Sequence, residues 1–302
     1  MSRNGKPPEK KPARLTVQAV RTAVVHAPTA SAIIDPDLLV LAYRSGIFPM
    51  ADRRDDPEIF WVEPRRRAIL PLDGFHLSRS LAKTLKRGPF TVTCNAVFAE
   101  VMESCSAPRQ TDSGESWISF RIKASYQRLF ELGLAHSIEC WRDGPTGSRE
   151  LVGGLYGVGF DRVFCGESMF SRETDASKVA LAWLVASLRH CGAELLDCQF
   201  LTPHLASLGA IEISQQRYLK LLRKAQDIPG KAPMPLTASR DYCATGGGAS
   251  SGGGSSAGAS GGGTSAAGAL ALPEAFAALL DEAEASSSSP GNFIAQLLTQ
   301  TS

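Results

Sequence analysis

Three short apolar runs constrain this chain most: Leu151–Val158, Phe164–Ser171 and Leu195–Phe200. Each is aliphatic, β-branched or aromatic and short enough to be a buried strand. The first two face each other across Gly159-Phe160-Asp161-Arg162. Between the second and third lies a helical pattern, Ala176 to Leu188, stopped by Gly192. That order predicts a β-α-β unit with parallel pairing of its strands. Alternation along a strand then places Asp197 and Gln199 on one face, and Leu196, Cys198 and Phe200 on the other. By the same rule Glu167 shares a face with Cys165 and Met169. A carboxylate in an apolar strand is costly to bury without a partner. Two of them beside an amide mark either a reactive site or a satisfied core network.

With 302 residues, 43% of them hydrophobic, the chain can build one or two domains. A formal net charge of +2 means that nucleic-acid binding requires a local patch. The seven cysteines form no C-x-x-C pair and are odd in number, and no secretory or membrane-spanning run is evident. The reading is a reduced, cytoplasmic protein with free thiols. The five histidines lack ligand spacing, so no metal is expected.

Four segments are expected: a disordered basic tail over 1–19, a small N-terminal domain over 20–73, a larger domain over 74–228 and a low-complexity tail over 229–302. Asp35-Pro36 opens a helix that Gly46 ends. Ser78 caps a second helix, on which Arg79, Lys83, Lys86 and Arg87 fall on one face. With Arg65, Arg66 and Arg67 these form the densest cationic cluster, suited to phosphates or to solvent. Asn95 is read as the cap of the next helix. His136, on a strand, reads as structural rather than catalytic. Residues 246–263 are almost wholly Gly, Ser and Ala, a flexible linker. Helical patterns at 273–284 and 291–300 are short enough to be marginal alone.

Taken together, Gly46-Ile47-Phe48-Pro49-Met50, Trp61-Val62-Glu63-Pro64, Phe75–Leu81, Trp117-Ile118, Ala135–Glu139, Leu151–Val158, Phe164–Ser171, Ala176-Ser177-Lys178 and Leu196–Gln199 resemble the leucyl/phenylalanyl-tRNA–protein transferases. The resemblance implies a mixed α/β fold: a small N-terminal domain beside a GNAT-like acyltransferase domain. It implies transfer of Leu or Phe from aminoacyl-tRNA to proteins with N-terminal Arg or Lys, marking them for degradation; because a methylene in a pocket is worth only ~1–3 kcal/mol, leakage to Met is expected. No cofactor, metal or membrane is implied. The turn Ser171–Ser177 lacks the glycine-rich pyrophosphate loop of acetyl-CoA users, which weighs against an acyl-CoA transferase. Residue by residue, Asp197, Gln199 and Glu167 match the family's catalytic set. Trp117 matches the residue beside the terminal adenosine, and Leu155 and Met169 match the side-chain pocket. Met50 stands where many members have Trp, and Leu155 where many have Met. Tyr126 is counted with the substrate-binding residues, and Arg79, Lys83, Lys86 and Arg87 with the tRNA-binding ones. A non-catalytic RNA- or peptide-binding module is the rival reading.

Overall fold

The computed structural model describes residues 33–107, 116–144, 147–227 and 268–300, and the backbone of 19–21. The expected basic tail before residue 19 and the Gly/Ser-rich linker lie outside the described residues. In chain order the elements begin with β1 (Ala19–Arg21), α1 (Pro36–Arg44), β2 (Phe48–Met50), β3 (Phe60–Pro64) and β4 (Arg66–Ile69). There follow α2 (Arg79–Arg87), β5 (Thr91–Cys94), α3 (Phe98–Ser106), α4 (Phe120–Glu131), β6 (Ala135–Asp143), β7 (Arg149–Phe160) and β8 (Val163–Ser171). The last are α5 (Ala176–His190), β9 (Leu195–Gln199), α6 (Pro203–Ser207), β10 (Ile211–Ser214), α7 (Gln215–Gln226), α8 (Leu272–Ala285) and α9 (Pro290–Thr299).

β1, β3 and β2 form a small sheet, and seven strands in the order β10-β4-β9-β8-β7-β6-β5 form the main one. The architecture is mixed α/β, a small N-terminal sheet beside a sheet-cored body. β4 follows the small sheet directly yet belongs to the large one, so it stitches the two together. β7 and β8 pair antiparallel, and β8 and β9 pair parallel across α5, as the β-α-β pattern predicts. α5 is apolar all round because both its faces are covered. Twelve of its residues, from Ala176 to Leu188, are buried.

The core has two layers. One gathers α5, α2, α8 and α9 with residues such as Leu155, Phe164 and Leu196. The other gathers α1, α3, α4 and α7 with Tyr156, Val158 and Cys165. The C-terminal helices, expected to be marginal, are packed: Leu272, Phe276, Leu279, Ile294 and Leu298 are all buried. Burial of that apolar face supplies what an isolated helix of this length lacks. Asn95 differs from expectation too. Its φ is +59°, and its side-chain oxygen accepts from the Ser137 amide of β6, while Val97 precedes α3.

Candidate active site

The site arises where the parallel ladder stops. β8 and β9 pair only as far as Cys165 opposite Asp197. Beyond that point both strands bulge. Opposite β7, Tyr156 pairs with Ser168 and Gly157 with Gly166, leaving Glu167 as the extra residue. Opposite β4, Ile69 pairs with Asp197 and Ala68 with Gln199, leaving Cys198 as the extra residue. A bulge bends its strand and re-aims the side chains around it. The two strands splay, and a cavity of about 530 Å³ opens between Gly166, Glu167 and Ser168 on one side and Cys198, Gln199 and Phe200 on the other. Open α/β sheets commonly hold ligands at such carboxyl ends.

The bulges correct the alternation read from sequence. Cys165 belongs to the α7-side core, whereas Met169, four residues on, packs against the α5-side core. Glu167 therefore does not share one face with both. Gln199 takes a left-handed backbone, φ +54°, uncommon for a residue with a side chain. Its side chain lines the cavity, while Asp197 is 0% exposed and lies behind it.

What holds that strained residue is a buried ion pair. Arg67, 1% exposed, donates from Nε to Asp197 Oδ1 at 2.8 Å and from Nη2 to Oδ2 at 2.6 Å. Tyr218 donates to Oδ2 at 3.1 Å, and the Gln199 backbone amide donates to Oδ1 at 3.0 Å. Four donors fill the four acceptor positions of one carboxylate. Asp197 thus acts on Gln199 through the backbone and has no lone pair left to polarise its side chain or meet an incoming amine. Arg67 Nη1 also donates to the Gly46 carbonyl at 3.0 Å, beyond the end of α1. Its guanidinium lies between the rings of Phe48 and Tyr218, 4.7 and 4.5 Å from their centroids. Arg67 therefore leaves the cationic surface cluster in which the sequence placed it. Arg66 pairs with Glu212 at 2.8 Å.

Glu167 is the carboxylate that faces the cavity. Tyr43 donates to its Oε1 at 2.8 Å and Tyr126 to its Oε2 at 3.1 Å, and the two phenols also touch each other. Gln199 Nε2 donates to Oε1 at 3.3 Å. Burial raises the Glu167 carboxyl to about 7, against the two tyrosine hydrogen bonds, which lower it. An ionised carboxylate only accepts, so it takes the Nε2 end of the Gln199 amide and turns Oε1 away from itself.

The remaining predicted residues divide cleanly. Met50, Trp117, Leu155 and Met169 line the cavity. Tyr126 is wholly buried and reaches the site only through Glu167. Arg79, Lys83, Lys86 and Arg87 are exposed on α2, and among the described residues none is ion-paired. His136 is buried, contacts Asn95 at 3.1 Å and is lowered to about 4 by burial; it does not line the cavity. Sequence reasoning missed Tyr43, Arg67 and Tyr218. Tyr43 sits on the buried side of a helix that was correctly read, and an arginine within a run of three gives no sign that it turns inward.

The family model "Leucyl/phenylalanyl-tRNA protein transferase" matches residues 69–223, and the model of that family's N-terminal domain matches residues 33–65. Among relatives, a leucyl/phenylalanyl-tRNA–protein transferase of Novosphingobium aromaticivorans is 64% identical over 269 residues, 89% of this chain and 97% of the relative. Proteins of the same name from Rhizorhabdus wittichii and Zymomonas mobilis are 57% and 55% identical. They cover 63% and 64% of this chain and 74% and 70% of their own lengths.

Proposed function

The chain belongs to the leucyl/phenylalanyl-tRNA–protein transferase family, and on that premise we propose how its cavity carries out the transfer. It is an aminoacyltransferase that moves Leu or Phe from aminoacyl-tRNA to a protein N-terminus. The observation that carries the mechanistic reading is the cavity's lining. Among the described residues Glu167 is its only carboxylate, no Lys or Arg lines it, and most of the wall is apolar. Such a lining accepts a cationic amine and an aliphatic or aromatic side chain together, and the volume lies within the ~300–1,000 Å³ usual for ligand sites.

The aminoacyl ester arrives activated, so the protein's task is to position two substrates and manage one proton. Leu155 and Met169 hold the transferred side chain, and Trp117 and Met50 flank the terminal adenosine. A methylene in such a pocket decides only ~1–3 kcal/mol, which admits leakage to Met. Glu167 draws in the acceptor's cationic end, which favours proteins beginning with Arg or Lys. Gln199 Oε1, turned outward by Glu167, accepts a hydrogen bond from the α-amine and aims its lone pair at the ester carbon. The C–N bond forms, the ester C–O bond breaks, and the amine's proton ends on the leaving 3′-hydroxyl. The positive charge that develops on nitrogen during attack is met by Gln199 Oε1, which already accepts from that nitrogen. Gln199 orients and is not itself a base. Arg67 and Asp197 are positioning residues. On α2, Arg79, Lys83, Lys86 and Arg87 hold the acceptor stem by its phosphates.

The direct test is transfer of labelled Leu from Leu-tRNA to otherwise identical peptides beginning with Arg, Lys or Glu. Transfer to the first two alone is expected. Equal transfer to all three would remove the role given to Glu167 in acceptor choice.

A further inference from the structure

We propose that the C-terminal helical hairpin, α8 and α9, is a positioning element for the donor tRNA: it keeps α2 folded and its cationic face in place, without touching the cavity. The proposal rests on the reading of α2 as the phosphate-binding helix. α2 is a poor helix alone. It has nine residues, below the ~12–15 at which even good helix formers become stable in water. Arg79 and Lys83, and Lys83 and Arg87, stand four apart, where like charges repel. Its buried anchors are only Leu81 and Leu85.

α9 is the element α2 leans on most, with α5 second. The fit is close. A Cβ built on Gly291, in the first turn of α9, would stand 2.2 Å from the Leu85 carbonyl oxygen of α2, so only glycine allows the approach. α8 locks the pair onto the body, with the Phe276 ring tilted at 40° against Trp183 of α5, centroids 5.0 Å apart. The hairpin is also tied in place at its start. The Asp161 amide donates to Gly268 O at 2.6 Å, and its neighbour Arg162 donates to Asp227 O at 2.7 Å. Asp227 and Gly268 are thus both tied to one turn, β7–β8. No residue of α8 or α9 lines the cavity, and both lie outside the residues the family models match.

The test separates affinity from chemistry. Gly291→Val in the full chain wedges α9 off α2, and hydrogen exchange on α9 reports whether it loosens. Transfer is then measured with Leu-tRNA and with leucyl-adenosine, which lacks the acceptor stem assigned to α2. The expected result is a KM for Leu-tRNA raised about tenfold and a salt slope reduced by about 1, with kcat and the leucyl-adenosine rate unchanged. Equal losses on both donors would make the hairpin a general stability element and overturn the proposal. So would a loosened α9 with an unchanged KM. If α9 stays seated, deletion of residues 268–302 is read by the same criteria. A Lys83→Glu/Arg87→Glu variant with the hairpin intact distinguishes the two levels: no change in KM there would locate the failure in the reading of α2.

Discussion

The floor of the cavity and the exposed side of α2 are both built from charge, yet they obey different physics. Arg67 and Asp197 are sealed from water, bidentate, and saturated with hydrogen bonds. The cations of α2 stand in solvent without ion-pair partners among the described residues. A pair of unit charges at ~4 Å interacts by about 1 kcal/mol in water and about 4 kcal/mol at the effective dielectric of a protein site. Salt screens the exposed set over ~8 Å and hardly reaches the buried one. On the proposed reading, geometry and affinity sit in separate compartments: the floor would fix where an amine and an ester meet, in an all-or-none way, and the helix would adjust how tightly RNA is held, in a graded way.

The strongest attempt to break that division is Arg67→Met. Removing one member of a buried ion pair leaves the other charged and unpartnered, at a cost of about 3–5 kcal/mol. Urea unfolding should report that loss, and activity should fall with it. The double variant Arg67→Met/Asp197→Leu should regain most of the stability, because a well-packed apolar pair can replace a buried ionic one. It should not regain transfer, because the Gln199 amide has lost the acceptor that holds its left-handed turn. Recovery of both together would reduce the clamp to a stability device.

Next in size is Gln199→Ala, which should lower kcat by on the order of 10²-fold, the usual cost of losing one preorganised polar group at a reacting centre. KM for aminoacyl-tRNA should stay put, since α2 is untouched. The reciprocal variant, Lys83→Glu with Arg87→Glu, should raise KM roughly 10–50-fold, lower the salt slope by about 2 and leave kcat alone. If either variant moved both parameters, the two compartments would be coupled. Steady-state kinetics at several salt concentrations decide it.

Much of this division was legible in the sequence. The β-α-β order gave the sheet's parallel seam, and the spacing of Arg79, Lys83, Lys86 and Arg87 gave the exposed stripe. Alternation along Leu195–Gln199 located the polar residues but misjudged their faces. A bulge adds one residue to one strand, and nothing local to Glu167 or Cys198 announces it, because its cause is the partner strand's register. Arg67 was invisible for a related reason. Within Arg65-Arg66-Arg67 the three side chains are chemically alike, and only the position of β4 between β10 and β9 decides that the third turns inward. The cap of α1 at Asp35, by contrast, is local and was read correctly; its side chain accepts from the Asp37 and Leu38 amides at 3.0 and 3.1 Å.

The smallest expected effect probes the one group that shares features of both compartments. Glu167 is largely enclosed, yet it borders the cavity and titrates at about 7. On the proposed reading its ionised form speeds transfer, both by drawing in the cation and by keeping Gln199 Oε1 pointing outward. Activity should therefore rise through pH 7, gaining up to about tenfold between roughly pH 6 and 8 beyond the contribution of the acceptor amine, whose own pKa is ~7.7–8.0. Stability should move the opposite way. The folded state retains a proton on Glu167 that the unfolded chain releases near the ordinary value of 4.5, so stability is full below that pH and declines as pH rises to about 7. Glu167→Gln cannot ionise. It should leave a single rising limb, set by the amine near ~8, and should flatten the stability profile over the same window. Paired pH profiles of kcat/KM and of Tm for the two proteins measure both. A wild-type limb near 7 that survived in the glutamine variant would assign it to another group. It would also leave the orientation of Gln199 dependent on the Asp197 clamp alone.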